Sequence, residues 1–295
     1  MKGQDVATTG RNTARAHRHT VANFVKKAPR SLVWLLVAAN IAVLVFMVLA
    51  SFKTSGEIFD SPWSLPEEWN LDNWTEAWVT SGFGQAARNT VIVVAAASVS
   101  VIALSAPAAY VLSRSQSRMA SGLTVAFVMG IGIPSQVLVI PIFVMLAEVG
   151  LVNSLPGLYF VYTALGLPFS VFLLTGFFRS LPSELEEAAL LDGAGPLRTF
   201  FRVMLPLARS GIITALTLTI LSLWNETLMA LVLLQETANY TLSVALLAFL
   251  STVQYGSGSY GALLAGACIV VLPTLAVYIW LGRRLIEGIS LGSGK

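Results

Sequence analysis

The chain is poor in the residues that build catalytic and metal centres. Its 295 residues hold one cysteine, Cys268, and two histidines, His17 and His19. A lone cysteine excludes an intrachain disulfide framework and any cysteine-cluster metal site. Both histidines lie in a polar N-terminal tail, so no metal site or catalytic centre can be built on buried histidine. No Gly-x-x-x-x-Gly-Lys-Ser/Thr phosphate loop occurs, and Gly256-Ser257-Gly258-Ser259 reads only as a linker. Charge is scarce as well. Asp, Glu, Lys and Arg make up 11% of the chain, where a soluble domain carries about 25%. Hydrophobic residues make up 56%. The deficit argues for a chain embedded in lipid.

A helix crossing about 30 Å of hydrocarbon needs roughly 20 apolar residues. Six stretches qualify, at about 32–52, 89–113, 119–145, 157–178, 211–233 and 261–282. The first follows a polar tail, 1–30, and no small-residue cleavage pattern follows it, so it reads as a retained span and not a signal peptide. The expected fold class is an all-α membrane protein with six transmembrane helices. Gly130, Gly132 and Pro134 interrupt the third run, and Gly166 and Pro168 the fourth; both are candidate hinges.

Six spans put both termini on one side, and the distribution of positive charge says which. With the N-terminus in the cytoplasm, only Lys53 and Arg88 of the 18 Lys and Arg residues fall outside. The reverse orientation would expose almost all of them. The outer segment 53–88 then carries Glu57, Asp60, Glu67, Glu68, Asp72 and Glu76 among Trp63, Trp69, Trp74 and Trp78. Two readings stand there: a small folded cap, or a set of aromatic anchors at the membrane interface.

The most charged internal stretch, Leu181–Pro206, falls on the cytoplasmic side. Its pattern predicts two short helices about a glycine turn. Pro182 precedes the first helix, and Ser183 with Glu186 three residues on has the spacing of a capping box. Glu184, Glu186 and Glu187 sit where the helix dipole favours negative charge. Gly193 and Gly195 permit a sharp turn, and Pro196 suits the first position of the second helix. Leu197, Phe200, Phe201 and Met204 would form one apolar face, Arg198 and Arg202 the other, and Pro206 would end the helix. This pattern alone leaves two readings open: an amphipathic lipid anchor, or a helix that docks in a partner's groove.

The segment resembles the EAA motif of binding-protein-dependent ABC importer permeases. The matching residues are Glu187-Ala188-Ala189, Asp192, Gly193, Gly195, Val203 in place of the usual Ile, and Leu205-Pro206. The resemblance narrows to the carbohydrate-uptake subfamily, MalG-like, through Asn73-Trp74, Asn89-Thr90, Pro134, Pro141, Gly150 to Ser154 and the ending Gly288 to Lys295. In that ending Leu291 is larger than usual and a final Gly is absent. The resemblance implies a type I ABC importer permease fold with a cytoplasmic coupling helix, in a bacterial or archaeal plasma membrane. Its implied partners are a second, MalF-like permease subunit, two ABC ATPase subunits that bind ATP and Mg, an extracytoplasmic sugar-binding protein, a sugar and membrane lipid, with no nucleic acid. This chain would be non-catalytic and would bind no cofactor. Glu187 would pair with a basic residue of the ATPase, Ala188 and Ala189 would pack in its cleft, and Asp192 and Gly193 would shape the turn. Gly288, Ser290 and Gly292 would reach between the ATPase subunits.

Within the fifth run, Asn225 and Glu226 are the candidate pathway residues, because a carboxylate at membrane depth faces protein or water. The same carboxylate could instead bond a neighbouring helix. Rival classes remain: an ABC permease for an osmolyte, phosphate or amino acid, which the EAA loop does not separate from a sugar permease, or a secondary transporter. A secondary transporter predicts coupling-ion carboxylates in several spans and an internal repeat, neither of which the sequence carries.

Overall fold

The computed structural model describes residues 30–256 and 258–292. Lys295 and nearly all of the tail 1–30 lie outside them. The architecture is all-α among the described residues. Four helices are long and apolar enough to span a bilayer: α1, Arg30–Ala50; α4, Phe83–Arg114; α7, Leu155–Ser180; and α13, Tyr260–Gly292. Two bent pairs raise the number of candidate spans to as many as six, if each pair counts as one. One is α5, Arg118–Gly132, with α6, Ser135–Glu148, at 100°. The other is α9, Pro196–Leu207, with α10, Arg209–Trp224, at 74°. The smaller elements are α2, Ser55–Asp60; α3, Asp72–Thr75, which runs into a wider π turn, Glu76–Thr80; α8, Glu184–Leu191; α11, Leu228–Leu233; and α12, Leu242–Gln254.

The centre of the bundle is the α4–α7 pair. Small buried residues on α4 (Ala97, Ser98, Ser105, Ala106 and Ala109) let the two backbones approach. Gly166 of α7 belongs to this contact: a Cβ there would meet the Val101 side chain at 2.8 Å. No break appears at the candidate hinge, and α7 runs as one helix through Gly166 and Pro168. The expected break at Pro134 is present and sharp. Ile133 is extended (φ −79°, ψ 117°) because a residue before proline is pushed out of the helical region. The apolar stretch at 119–145 is therefore two helices and not one straight rod. The stretch at 211–233 is also divided, since α10 ends at Trp224 and α11 starts at Leu228. The apolar helix α12 follows, outside the six apolar stretches of the sequence.

The acidic, tryptophan-rich segment after α1 is a folded cap. Lys53 is fully buried, and its Nζ donates to the carbonyls of Ser61 (2.8 Å) and Pro62 (3.3 Å) and to Ser64 Oγ (3.0 Å). The Asn73 amide donates to the Ser51 carbonyl at 3.0 Å and the Lys53 carbonyl at 2.9 Å, and its Oδ1 accepts from Ser259 Oγ at 3.2 Å. One buried side chain thus joins the end of α1 to the start of α13. Trp69 and Trp74 pack on Phe52, and Trp63 packs on Phe46 within α1. Trp63, Trp69 and Trp78 stay exposed, so the aromatic positions are divided between cap packing and the surface.

A capping box closes α2. Glu57 N–H donates to Thr54 Oγ1 at 3.3 Å, and Thr54 N–H donates to Glu57 Oε2 at 2.9 Å. Glu57 Oε1 also accepts the Glu67 N–H at 2.9 Å. These backbone donors, Thr54 first and Glu67 next, hold the Glu57 carboxyl below the usual carboxylate range. The shift stabilises the cap above the ordinary carboxylate pKa, and that contribution is lost as pH falls through the depressed value. Acid titration of tryptophan fluorescence in detergent should show the cap loosening, and Glu57→Gln should remove the part of the transition that this group causes. A second expectation concerns Gly261. A Cβ at this position would overlap the Lys53 carbonyl and the Asn73 amide, whereas one at Gly56 meets nothing. Gly261→Ala should destabilise the protein by about 1–3 kcal/mol through overpacking. Gly56→Ala should not destabilise it. Thermal unfolding of the two variants side by side checks this.

Candidate functional site

The EAA-like segment forms α8, a left-handed turn and α9 at the Arg114 end of the bundle. The turn works as expected at Gly193, whose φ of 76° disfavours any side chain. The chain closes there through Gly193 N–H to the Leu190 carbonyl (3.0 Å) and Ala194 N–H to the Ala189 carbonyl (2.9 Å). Gly195 differs. Its φ of −73° and open surroundings would admit other residues.

The capping box expected at Ser183 does not form. Ser183 is itself helical and its side chain caps nothing. Glu186 is drawn elsewhere, to Arg114 at the end of α4, whose Nε donates to Glu186 Oε1 at 2.6 Å. Arg114 Nη2 also donates to the Leu181 carbonyl at 3.0 Å. The apolar face expected on the second helix is divided too. Phe200 and Met204 are buried, while Leu197 and Phe201 are exposed. The π turn Phe200–Met204 resets the register, so residues predicted to share one side do not. Phe200 packs on Tyr110 (5.2 Å between centroids) and Phe178 (6.3 Å), which also pack on each other at 5.6 Å. This three-ring cluster ties α9 to α4 and α7. Pro206 does not end the helix, which continues to Leu207 and bends at Ala208.

Of the residues matched to the motif, Glu187, Ala188 and Asp192 are exposed and Ala189 is buried. Leu190, Leu191, Leu197 and Phe201 stand exposed beside them. The surface is a stiff, partly apolar projection with charge at its edges. It holds no group arranged for chemistry. Gly288, Ser290 and Gly292 lie in the last turns of α13, and their side chains are outside the described residues.

The second candidate feature is the break in the fifth run. Glu226 Oε1 accepts the Met229 N–H at 2.7 Å, and Oε2 accepts the Ala230 N–H at 3.2 Å and the Tyr162 hydroxyl at 2.9 Å. The carboxylate caps α11 and bridges it to α7. Asn225 is exposed, and its amide returns to the Leu221 carbonyl at 2.7 Å. The structure therefore brings Glu226 to Tyr162 and leaves Asn225 apart from that pair.

Several residues that organise these features have no role assigned from the sequence, although Asn89 and Asn153 lie in the stretches that carry the resemblance. Arg114 stood out only as a charge flanking an apolar run. Asn153, with φ 55°, accepts the N–H groups of Gln235 and Glu236 at 3.0 Å each, and its carbonyl accepts from Asn239 Nδ2 at 2.8 Å. Asn89 donates to the carbonyls of Ala238 (2.9 Å) and Tyr240 (3.0 Å). Together they pin the segment between α11 and α12. A positive φ at asparagine is a recognisable turn signature, but its partners lie too far along the chain for spacing to suggest them.

Comparison with known proteins follows the same lines. Residues 101–285 match the family described as binding-protein-dependent transport system inner membrane component. A permease of the diacetylchitobiose uptake system of Streptomyces coelicolor, NgcG, is 38% identical over 88% of this chain and 86% of its own length. A probable ABC transporter permease of Bacillus subtilis, YurM, is 33% identical over 85% of this chain and 83% of its own. The crystal structure of a bacterial ABC transporter that imports the polysaccharide alginate contains a chain with the same fold. It aligns at a TM-score of 0.73 and 21% identity over 90% of this chain and 96% of that one.

If Glu226 and Tyr162 act as a unit, replacing them is not additive. A double-mutant cycle of Tyr162→Phe and Glu226→Gln should give a coupling energy of about 0.5–3 kcal/mol in thermal unfolding. Additive changes would mean that the 2.9 Å bond contributes nothing net.

Proposed function

The chain belongs to the family of binding-protein-dependent transport system inner membrane components, and from that premise we propose that it is one permease subunit of an ATP-driven sugar importer, coupled to its ATPases through α8. The observation that carries the reading is the projection itself. Glu187 and Ala188 are presented outward on a short helix whose other face is fixed to the bundle by the Arg114–Glu186 pair. A lipid anchor needs no such fixation, whereas a lever does. The charge asymmetry of the sequence supports a cytoplasmic position for this end and for both termini.

In this reading an extracytoplasmic binding protein delivers a sugar at the capped end. A second, MalF-like permease subunit completes the path. ATP and Mg close two ATPase subunits against each other, α8 moves with them, and the bundle opens outward; hydrolysis reverses the motion. The ending Gly288, Ser290 and Gly292 contacts the ATPases, and Asp192, Gly193 and Pro206 hold the shape of the loop. Sugar as the solute is favoured by the NgcG likeness, since that protein is named for diacetylchitobiose uptake. Glu226, bonded to Tyr162 and α11, holds the broken helix, and the exposed Asn225 beside it is the group placed to meet a solute.

Glu187→Lys reverses the charge at the docking face. Gly193→Asp forces a side chain into a left-handed turn at a cost of about 1–2 kcal/mol. Both variants should insert into the membrane normally yet abolish sugar uptake and transport-coupled ATP hydrolysis in vesicles carrying the complete complex. Activity retained by either would sink the proposal.

A further inference from the structure

Helix α8 has only eight residues, Glu184–Leu191, so little of its own surface sets its rotation about its axis. It packs mainly on the turn Phe200–Met204 and on the start of α9. Glu186 and Ala189, three residues apart, share the face turned to the protein. Each step along a helix turns about 100°, so fixing Glu186 also fixes where Glu187 and Ala188 point. The group that fixes Glu186 is the guanidinium at the end of α4. Arg114 bonds Glu186 Oε1 at 2.6 Å and the Leu181 carbonyl at 3.0 Å, so it holds both the helix and the strand of chain that leads into it. The side chains of the pair are only 23% and 18% exposed, which limits screening by solvent and salt. It is the one ion pair among the described residues.

We propose that Arg114 is a positioning residue for coupling: it locks the rotation of α8 to the end of α4, so that a push on Glu187 and Ala188 moves the α4–α7 pair and does not merely roll the short helix. The proposal rests on the docking role of α8 given above and adds which side chain carries the force into the bundle. Tyr110, Phe178 and Phe200 hold α9, but they make no ring contact with α8. Loss of Arg114 would therefore free α8 without unseating α9.

Spin labels placed through Glu184→Cys and Val99→Cys, both exposed positions, report the setting of α8 against α4 in the complete complex. The distance distribution should be narrow in the parent, broaden in Arg114→Ala and in Glu186→Ala, and narrow again in the exchanged pair Arg114→Glu with Glu186→Arg. ATP hydrolysis by the complex should fall roughly tenfold in the single variants, the lower end of what a charge-assisted hydrogen bond is worth, while the ATPase subunits still co-purify. The exchange should recover part of it, since it restores the ion pair but not the bond to Leu181. Unchanged distances, unchanged hydrolysis, an exchange no better than the single variants, or loss of co-purification would each overturn the proposal. Glu187→Lys in the same preparation separates the two ideas. If that control leaves hydrolysis and co-purification untouched, the docking role itself fails, whereas the label distances still judge the clamp.

Discussion

Inside a bilayer no water is at hand for a backbone N–H or C=O, so a helix can be broken only where another part of the protein takes over its hydrogen bonds. This constraint governs the chain. The break after Trp224 persists because Glu226 accepts two N–H groups at the start of α11. The irregular stretch between α11 and α12 persists because Asn153 and Asn89 satisfy its backbone. The Glu226 cap is local, but its Tyr162 bond and the Asn153 and Asn89 bonds reach across the fold, so the breaks and the bundle depend on each other. A carboxylate costly anywhere else at this depth is matched here by the groups it saves from being left bare.

The same bundle joins rigid and loosely held parts. Small residues bring α4 and α7 together along their length, and the three rings of Tyr110, Phe178 and Phe200 extend that contact to α9. Packing of this kind transmits displacement because it has little room to deform. Helix α1 is different. It is exposed over residues 32–43 and is joined to the rest mainly through α13 and the cap. On the proposed function, motion applied at the Arg114 end would pass through the central pair, with α1 following as a tethered neighbour.

The fold class and the positions of the long helices were legible because apolar length is a local property. So was the loop, whose residue spacing survives in any conformation. What escaped the sequence was register and partnership. Ser183 and Glu186 have the spacing of a capping box, yet Arg114, 72 residues away along the chain, takes the carboxylate, and an ionic partner outcompetes a backbone amide. Leu197 and Phe201 fit an ideal helical face with Phe200 and Met204, but a single π turn separates them. Gly166 and Pro168 look like a hinge until Val101 is seen filling the space the glycine leaves. Glu226 drew attention for the right physical reason, its cost, although its partners were out of view.

The bend at Pro134 has a consequence for how the protein is made. The insertion machinery of the cell meets 119–145 as one uncharged segment, long enough to be threaded straight across. Neither half is: α5 has 15 residues and α6 has 14, about 22 Å and 21 Å at 1.5 Å per residue. Gly130, just before the bend, lies against Pro168 of α7, a helix that has not yet been synthesised when α5 and α6 emerge. The break itself is local to Ile133 and Pro134, but the packing of Gly130 on Pro168 can form only once α7 has been made.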